Sequence, residues 1–284
     1  MPREYFSLRS GKLKEVKFDL VQTRNLILTK YKKFNDNEYF QEYFGYYCVD
    51  NDFVCGRFGD NDSISAEVLI LLKRDLWPFH YSLGKCNEDE LFDIIEFLFD
   101  YISAPKEGKG YYHDFSNCGW HFKNLDTDFD KKKGQDEFIL DINKVLSCYS
   151  TGYELTNTGE IVSIADKGFS ELLERKVPFT EDDLGNRLDH AIYLFRNRHS
   201  TKEQRRDALI NLAAILEKLR NDASSILTSR DENDLFSVLN NFGIRHNNFH
   251  QQIEYDKDIF FSWMFYYYLA AIHACQRLIN RAGK

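Results

Sequence analysis

From Ile259 to Cys275 the chain runs seventeen residues without a formal charge, and a stretch of that kind must be buried somewhere. Its length sits at the lower limit for crossing a bilayer, which takes about 17–25 apolar residues. Ser262, Tyr266, Tyr267, Tyr268 and His273, however, set polar tips all round a helix of this sequence, and no second span accompanies it. The run therefore reads as a helix buried in a protein core or a dimer interface, with no membrane involved.

Amphipathic partners for such a helix precede it. Thr180, with Asp183 three residues on, opens one helix, whose apolar face is Leu184, Leu188, Ala191, Ile192 and Phe195. A second begins at Ser200, with Glu203 as capping-box partner, and Leu209, Leu212, Leu216 and Leu219 recur at steps of three and four. A third covers about Asp231 to Asn241 and is broken at Phe242-Gly243-Ile244, and the aromatic helix from about Asp258 to Arg281 closes the chain. Four helices with short connections make an antiparallel bundle, so residues 178–284 are expected to be an all-α domain.

Residues 1–177 are expected to form an α+β domain. Tyr39 to Val49 is dense in ring side chains that favour strands, and Ala66 to Lys73 is a short buried helix or strand. Asn87, with Glu90 as capping-box partner, starts a clear helix that Ser103-Ala104-Pro105 ends. Asp136 to Cys148 is helical by pattern, and Tyr153 to Val162 reads as a hairpin turning on Asn157-Thr158-Gly159. The chain as a whole is thus mainly helical, and its 15% aromatic content fits ring-filled interiors.

The net charge of −8 excludes a protein that coats nucleic acid through a global positive field. The acidity is uneven. Residues from 178 onward carry 14 Lys/Arg against 14 Asp/Glu, whereas the first part has 23 against 31, so the helical part is free to own a local basic cleft. Six scattered cysteines without a Cys-x-x-Cys pair, and a charged N-terminus without a secretory apolar run, read as reduced thiols in the cytoplasm.

The chemistry concentrates between the third and last helices, in Arg245-His246-Asn247-Asn248-Phe249-His250. A guanidinium holds phosphate bidentately, and an imidazole moves protons near neutral pH, so the pair is able to cleave a phosphodiester without a metal. An Arg-polar-x-x-x-His motif ahead of a last long helix resembles the HEPN superfamily, with Arg245, His246 and His250 at the three motif positions. The resemblance covers Thr180 to Lys284. More loosely, Phe92 to Pro105, Gly119-Trp120-His121 and Gly152 to Val162 resemble the extra N-terminal domain of bacterial abortive-infection proteins that carry such a unit.

That resemblance implies a metal-independent endoribonuclease in antiphage defence or a toxin, without cofactor, dimerising so that two motifs face each other. His250 acts as general base or acid and Arg245 stabilises charge at phosphorus, leaving 2′,3′-cyclic phosphate and 5′-hydroxyl ends. His246 and Asn247 orient the substrate or His250, while Arg205 and Arg206 offer phosphate contacts or simply a solvated helix face. RNA, a second copy, and an antitoxin or phage-derived trigger are the implied partners. The alternative is a non-catalytic module that binds a nucleotide or protein, or an oligomeric scaffold, with Arg245 capping the third helix.

Metal sites find little support at this level. His113, Cys118, Trp120 and His121 lack ligand spacing and a second cluster, so aromatic packing with surface histidines is expected there. Asp126 to Asp130 lacks the glycine and closing glutamate of a calcium loop. His246 and His250 lie four apart as in zinc proteases, but Asn247 stands where the glutamate belongs.

Overall fold

A computed structural model describes residues 5–10, 17–115, 118–150, 152–164, 172–173, 179, 182–197, 199–224, 227, 230, 233, 236 and 256–282. The chain divides into two compact units, Met1–Val162 and Ser163–Lys284. The division lies ahead of the 177/178 boundary expected from sequence, because Leu172 and Leu173 already pack against the second unit's core. The described residues are mainly helical, with small antiparallel sheets.

In the first unit, helices α1 (Phe6–Arg9), α2 (Leu20–Asp36), α3 (Gln41–Phe44), α4 (Asn61–Leu72), α5 (Phe79–Ser82), α6 (Glu88–Asp100) and α7 (Lys131–Leu146) alternate with strands of two or three residues. These are β1 (Tyr46–Cys48), β2 (Asp52–Val54), β3 (Ala104–Pro105), β4 (Tyr111–His113), β5 (Gly119–His121), β6 (Phe129–Asp130), β7 (Tyr153–Leu155) and β8 (Ile161–Ser163). Among the described residues they pair as β1–β2, β3–β6, β4–β5 and β7–β8. Two-stranded ladders this short do not hold themselves together, so the helices must carry the unit.

They do so around one aromatic core containing Phe34, Phe40, Phe44, Phe79, Leu91, Ile95 and Phe138. The capping boxes at Asp19/Gln22 and Asn87/Glu90 fix the starts of α2 and α6, the latter as expected from sequence. The stretch from Tyr39 is not one strand. Phe40 and Phe44, one helical turn apart, stack at 5.5 Å, and Gly45 at φ +72° ends α3 before three residues of strand begin. Burying both rings on one side demands the helical step, which overrides the β preference of the individual residues. Ala66 to Leu72 belongs to α4, capped by Asp60, with Ile64 and Val68 turned inward.

The second unit contains α8 (Asp182–Arg196), α9 (Lys202–Ser224) and α10 (Lys257–Arg281), with α9 packed against both others. Leu184, Leu188, Leu209, Leu212, Leu216, Phe265, Leu269 and Ile272 meet in one core, and Phe195 stacks on Phe265 at 3.9 Å. The expected apolar faces are therefore the buried ones. The cap of α9 sits one residue later than expected: Thr201 and Gln204, not Ser200 and Glu203, exchange the reciprocal bonds, at 3.2 and 2.8 Å. Arg230, Asn233 and Phe236 are helical, and Phe236 is buried in the same core under the Arg220 guanidinium, 5.1 Å from its ring. No helix among the described residues is long and apolar enough to cross a membrane.

Candidate metal centre

The pairing of β4 with β5 decides which side chains share a face. Tyr111 lies opposite His121, Tyr112 opposite Trp120 and His113 opposite Gly119. Alternation then puts Tyr111, His113 and His121 on one face and Tyr112 and Trp120 on the other. Gly119, opposite His113, takes φ +96°, and a Cβ there would lie 3.3 Å from Glu38 Oε1. Cys118 immediately precedes β5, and Cys48 ends β1, sixty-five residues ahead of His113.

Fold brings these together. One ligand atom from each of Cys48, His113, Cys118 and His121 lies within 4.8 Å of every other. Cys48 Sγ is 3.7 Å from His113 Nδ1, and the other ring nitrogen of His113 meets Asp50 Oδ2 at 3.2 Å. His121 is 1% exposed, its Nδ1 lies 3.1 Å from the Tyr111 hydroxyl, and its ring stacks at 4.3 Å on Tyr46. Its Nε2 is buried without a hydrogen-bond partner. Cys118 Sγ donates to the Tyr47 carbonyl at 3.6 Å.

Two of these groups depart from their ordinary range. The backbone N–H of Asp50 holds the Cys48 thiol below its usual range, against burial, with help from Asn51 and Cys118. Burial, then the neighbouring His113, lowers the His121 pKa, against the pull of the Cys118 carbonyl. Local spacing predicts packing and surface histidines here, yet His121 is among the most buried polar residues. That spacing could not reveal the fourth partner, since Cys48 comes from another hairpin.

Beside this centre runs a cleft of about 330 Å³ lined by Glu38, Lys106, Trp120 and Phe122 among others. Gln41 Nε2 donates to the Trp120 carbonyl at 2.8 Å, tying α3 to β5. Burial pushes the Glu38 carboxyl up to about 7, opposed by hydrogen bonds from Gln41 and the Trp120 N–H. Asp126 pairs with Arg57 at 2.8 Å.

Arg245, His246, Asn247 and His250 lie outside the described residues. Arg205 stands in the first turn of α9 with its guanidinium 6.0 Å from the Phe195 ring and its Nε buried without a hydrogen-bond partner. Both it and its neighbour Arg206 are half-buried. No protein-family model, curated protein or solved structure matches the chain.

Proposed function

We propose that the second unit is a HEPN-type endoribonuclease that works without a metal. The observation that carries the reading is the order of elements around the Arg245–His250 hexad. Three long helices share one core with the helical residue Phe236, and the hexad lies in the sequence between that residue and α10. On this reading the helix expected from about Asp231 to Asn241 completes the bundle, with the polar hexad following it in sequence.

On this reading His250 takes the proton of the ribose 2′-hydroxyl, or gives one to the leaving 5′-oxygen, and Arg245 neutralises charge on the phosphorane. The products are a 2′,3′-cyclic phosphate and a 5′-hydroxyl. A homodimer sets two hexads side by side, and the first unit restrains or triggers cleavage in an antiphage or toxin setting. Arg205, held on Phe195, orders the start of α9.

The test is cleavage of total RNA by full-length protein in EDTA, with metal retained by the protein measured in the same samples. Wild type should cut, whereas Arg245→Ala and His250→Ala, equally folded, should fall at least about a hundredfold, the scale of a lost general acid–base group. Cleavage that persists in both variants removes the hexad from the chemistry. Absence of cleavage together with tight nucleotide or protein binding would replace the enzyme with the binding module.

A further inference from the structure

Three features of the Cys48, His113, Cys118 and His121 cluster are costly unless something fills it. A fully buried imidazole nitrogen lacks a partner, whereas buried polar atoms are nearly always satisfied. Two sulfurs and two imidazoles converge from separate hairpins within 4.8 Å. Neither hairpin, at three residues per strand, is stable by its own ladder.

We propose that Cys48 Sγ, His113 Nδ1, Cys118 Sγ and His121 Nε2 form a closed tetrahedral zinc site that fastens the β1–β2 hairpin to the β4–β5 ribbon. The donor set selects the metal, because a mixed thiolate and imidazole tetrahedron suits Zn²⁺ and not a hard cation such as Mg²⁺ or Ca²⁺. The spacing fits: bonds of about 2.0–2.3 Å set neighbouring ligand atoms about 3.3–3.8 Å apart. The sulfur-to-nitrogen edge between Cys48 and His113 is 3.7 Å.

The outer groups are built as well. Asp50 accepts from His113 Nε2, leaving Nδ1 for the metal, and the Tyr111 hydroxyl occupies His121 Nδ1, leaving Nε2. On binding, the two thiols each release a proton, so two thiolates and two neutral imidazoles balance the dication. Four protein ligands leave no open position, which makes the site structural, not hydrolytic. It closes a loop of sixty-five residues and fixes β5, whose Trp120 lines the cleft. This inference concerns the first unit and does not depend on the ribonuclease reading.

The experiment is metal analysis of full-length reduced protein, then Co²⁺ titration of protein stripped by chelator. Wild type should carry about one zinc per chain and give the intense thiolate-to-cobalt and tetrahedral bands of an S₂N₂ site. Cys118→Ser should lose metal, Asp50→Asn should bind about ten- to a hundredfold more weakly, and Cys55→Ser, at an exposed cysteine outside the cluster, should be unchanged. A folded, reduced wild type that takes up no zinc, or gives an octahedral cobalt spectrum, overturns the proposal. So does a Cys48–Cys118 disulfide recovered from cells, which would make the pair a redox couple. Should Cys118→Ser not fold, the wild-type cobalt spectrum and Asp50→Asn still decide.

Discussion

Among the described residues, the first unit gathers seven helices, four of them a single turn to three turns long, and four two-stranded pairs around rings such as Phe34, Phe79 and Phe138. The second buries a comparable core with helices of 15, 23 and 25 residues. In the long helices, each buried residue is backed by neighbours one turn away, and stability is spread along the element. The short elements have no such reserve. The unit around them is held at points as well: capping boxes on α2 and α6, the Asp141 carboxylate of α7 among three lysines, glycines where backbones touch, and the Cys/His cluster. One unit should therefore yield to loss of packing, and the other to loss of single polar or conformational devices.

The largest expected effect tests the spread core. Phe265 is fully buried and stacked on Phe195, so Phe265→Ala should cost about 3–5 kcal/mol. Urea unfolding gives the size, and hydrogen exchange should locate the loss in α8, α9 and α10. A cost under about 1 kcal/mol would mean that packing around this ring does not hold the unit. Next comes a point contact in the first unit. A Cβ on Gly134 would lie 2.7 Å from the Ala104 nitrogen and the Ser103 Cα, both backbone, so Gly134→Ala should cost about 2–3 kcal/mol despite improving helix propensity. Stabilisation by Ala would show that α7 and β3 are free to separate.

The same contrast governs what the amino-acid order discloses by itself. Leu209, Leu212, Leu216 and Leu219 announce a helix because the period is local, and Asn87 with Glu90 announces another because a capping box spans four residues. The Tyr153–Val162 hairpin is legible through Gly159, which takes φ +90° in its turn. The cluster at Cys48 is not legible that way. His113, Cys118 and His121 are visible together, but their shared face depends on the β4–β5 register, and Cys48 joins through tertiary folding alone. Strand signals at Tyr39 to Val49 hold only at Tyr46–Cys48 for a related reason: the pull of Phe40 and Phe44 toward one core is a tertiary effect.

A third prediction addresses Asp141, whose buried carboxylate accepts from Lys33 at 2.6 Å and Lys144 at 2.8 Å, with Lys30 at 3.4 Å. Burial alone would raise this carboxyl, but hydrogen bonds from Lys144 and Lys33 outweigh it and hold the group well below the usual range. Its stabilisation is thus present above the unfolded value near 3.8 and is lost as pH falls below it toward the folded value. Asp141→Asn should cost about 1.5–2 kcal/mol at neutral pH, since lysines this exposed weaken the pair, and the variant's stability should fall less steeply in acid. An unchanged acid limb would assign it to other carboxylates. Asn87→Ala should cost about 1 kcal/mol, read from the urea midpoint and from faster exchange in the first turn of α6.

The smallest effect is also the one most specific to the first unit. Glu38 sits at the cleft with its carboxyl pushed up to about 7, chiefly by burial, so its neutral form is favoured in the fold. A raised carboxyl contributes stability that is full below the unfolded value of 4.5 and fades as pH rises through about 7. The group is partly open to solvent, so the change should stay below about 1 kcal/mol across that window. Glu38→Gln keeps the shape without the charge, and its stability relative to wild type should climb between pH 4.5 and 7 before levelling off. Titrations that run parallel would place the carboxylate in water. A parallel result would also separate the cleft from β5, because the Trp120 N–H of that strand is one of the groups that hold this carboxyl.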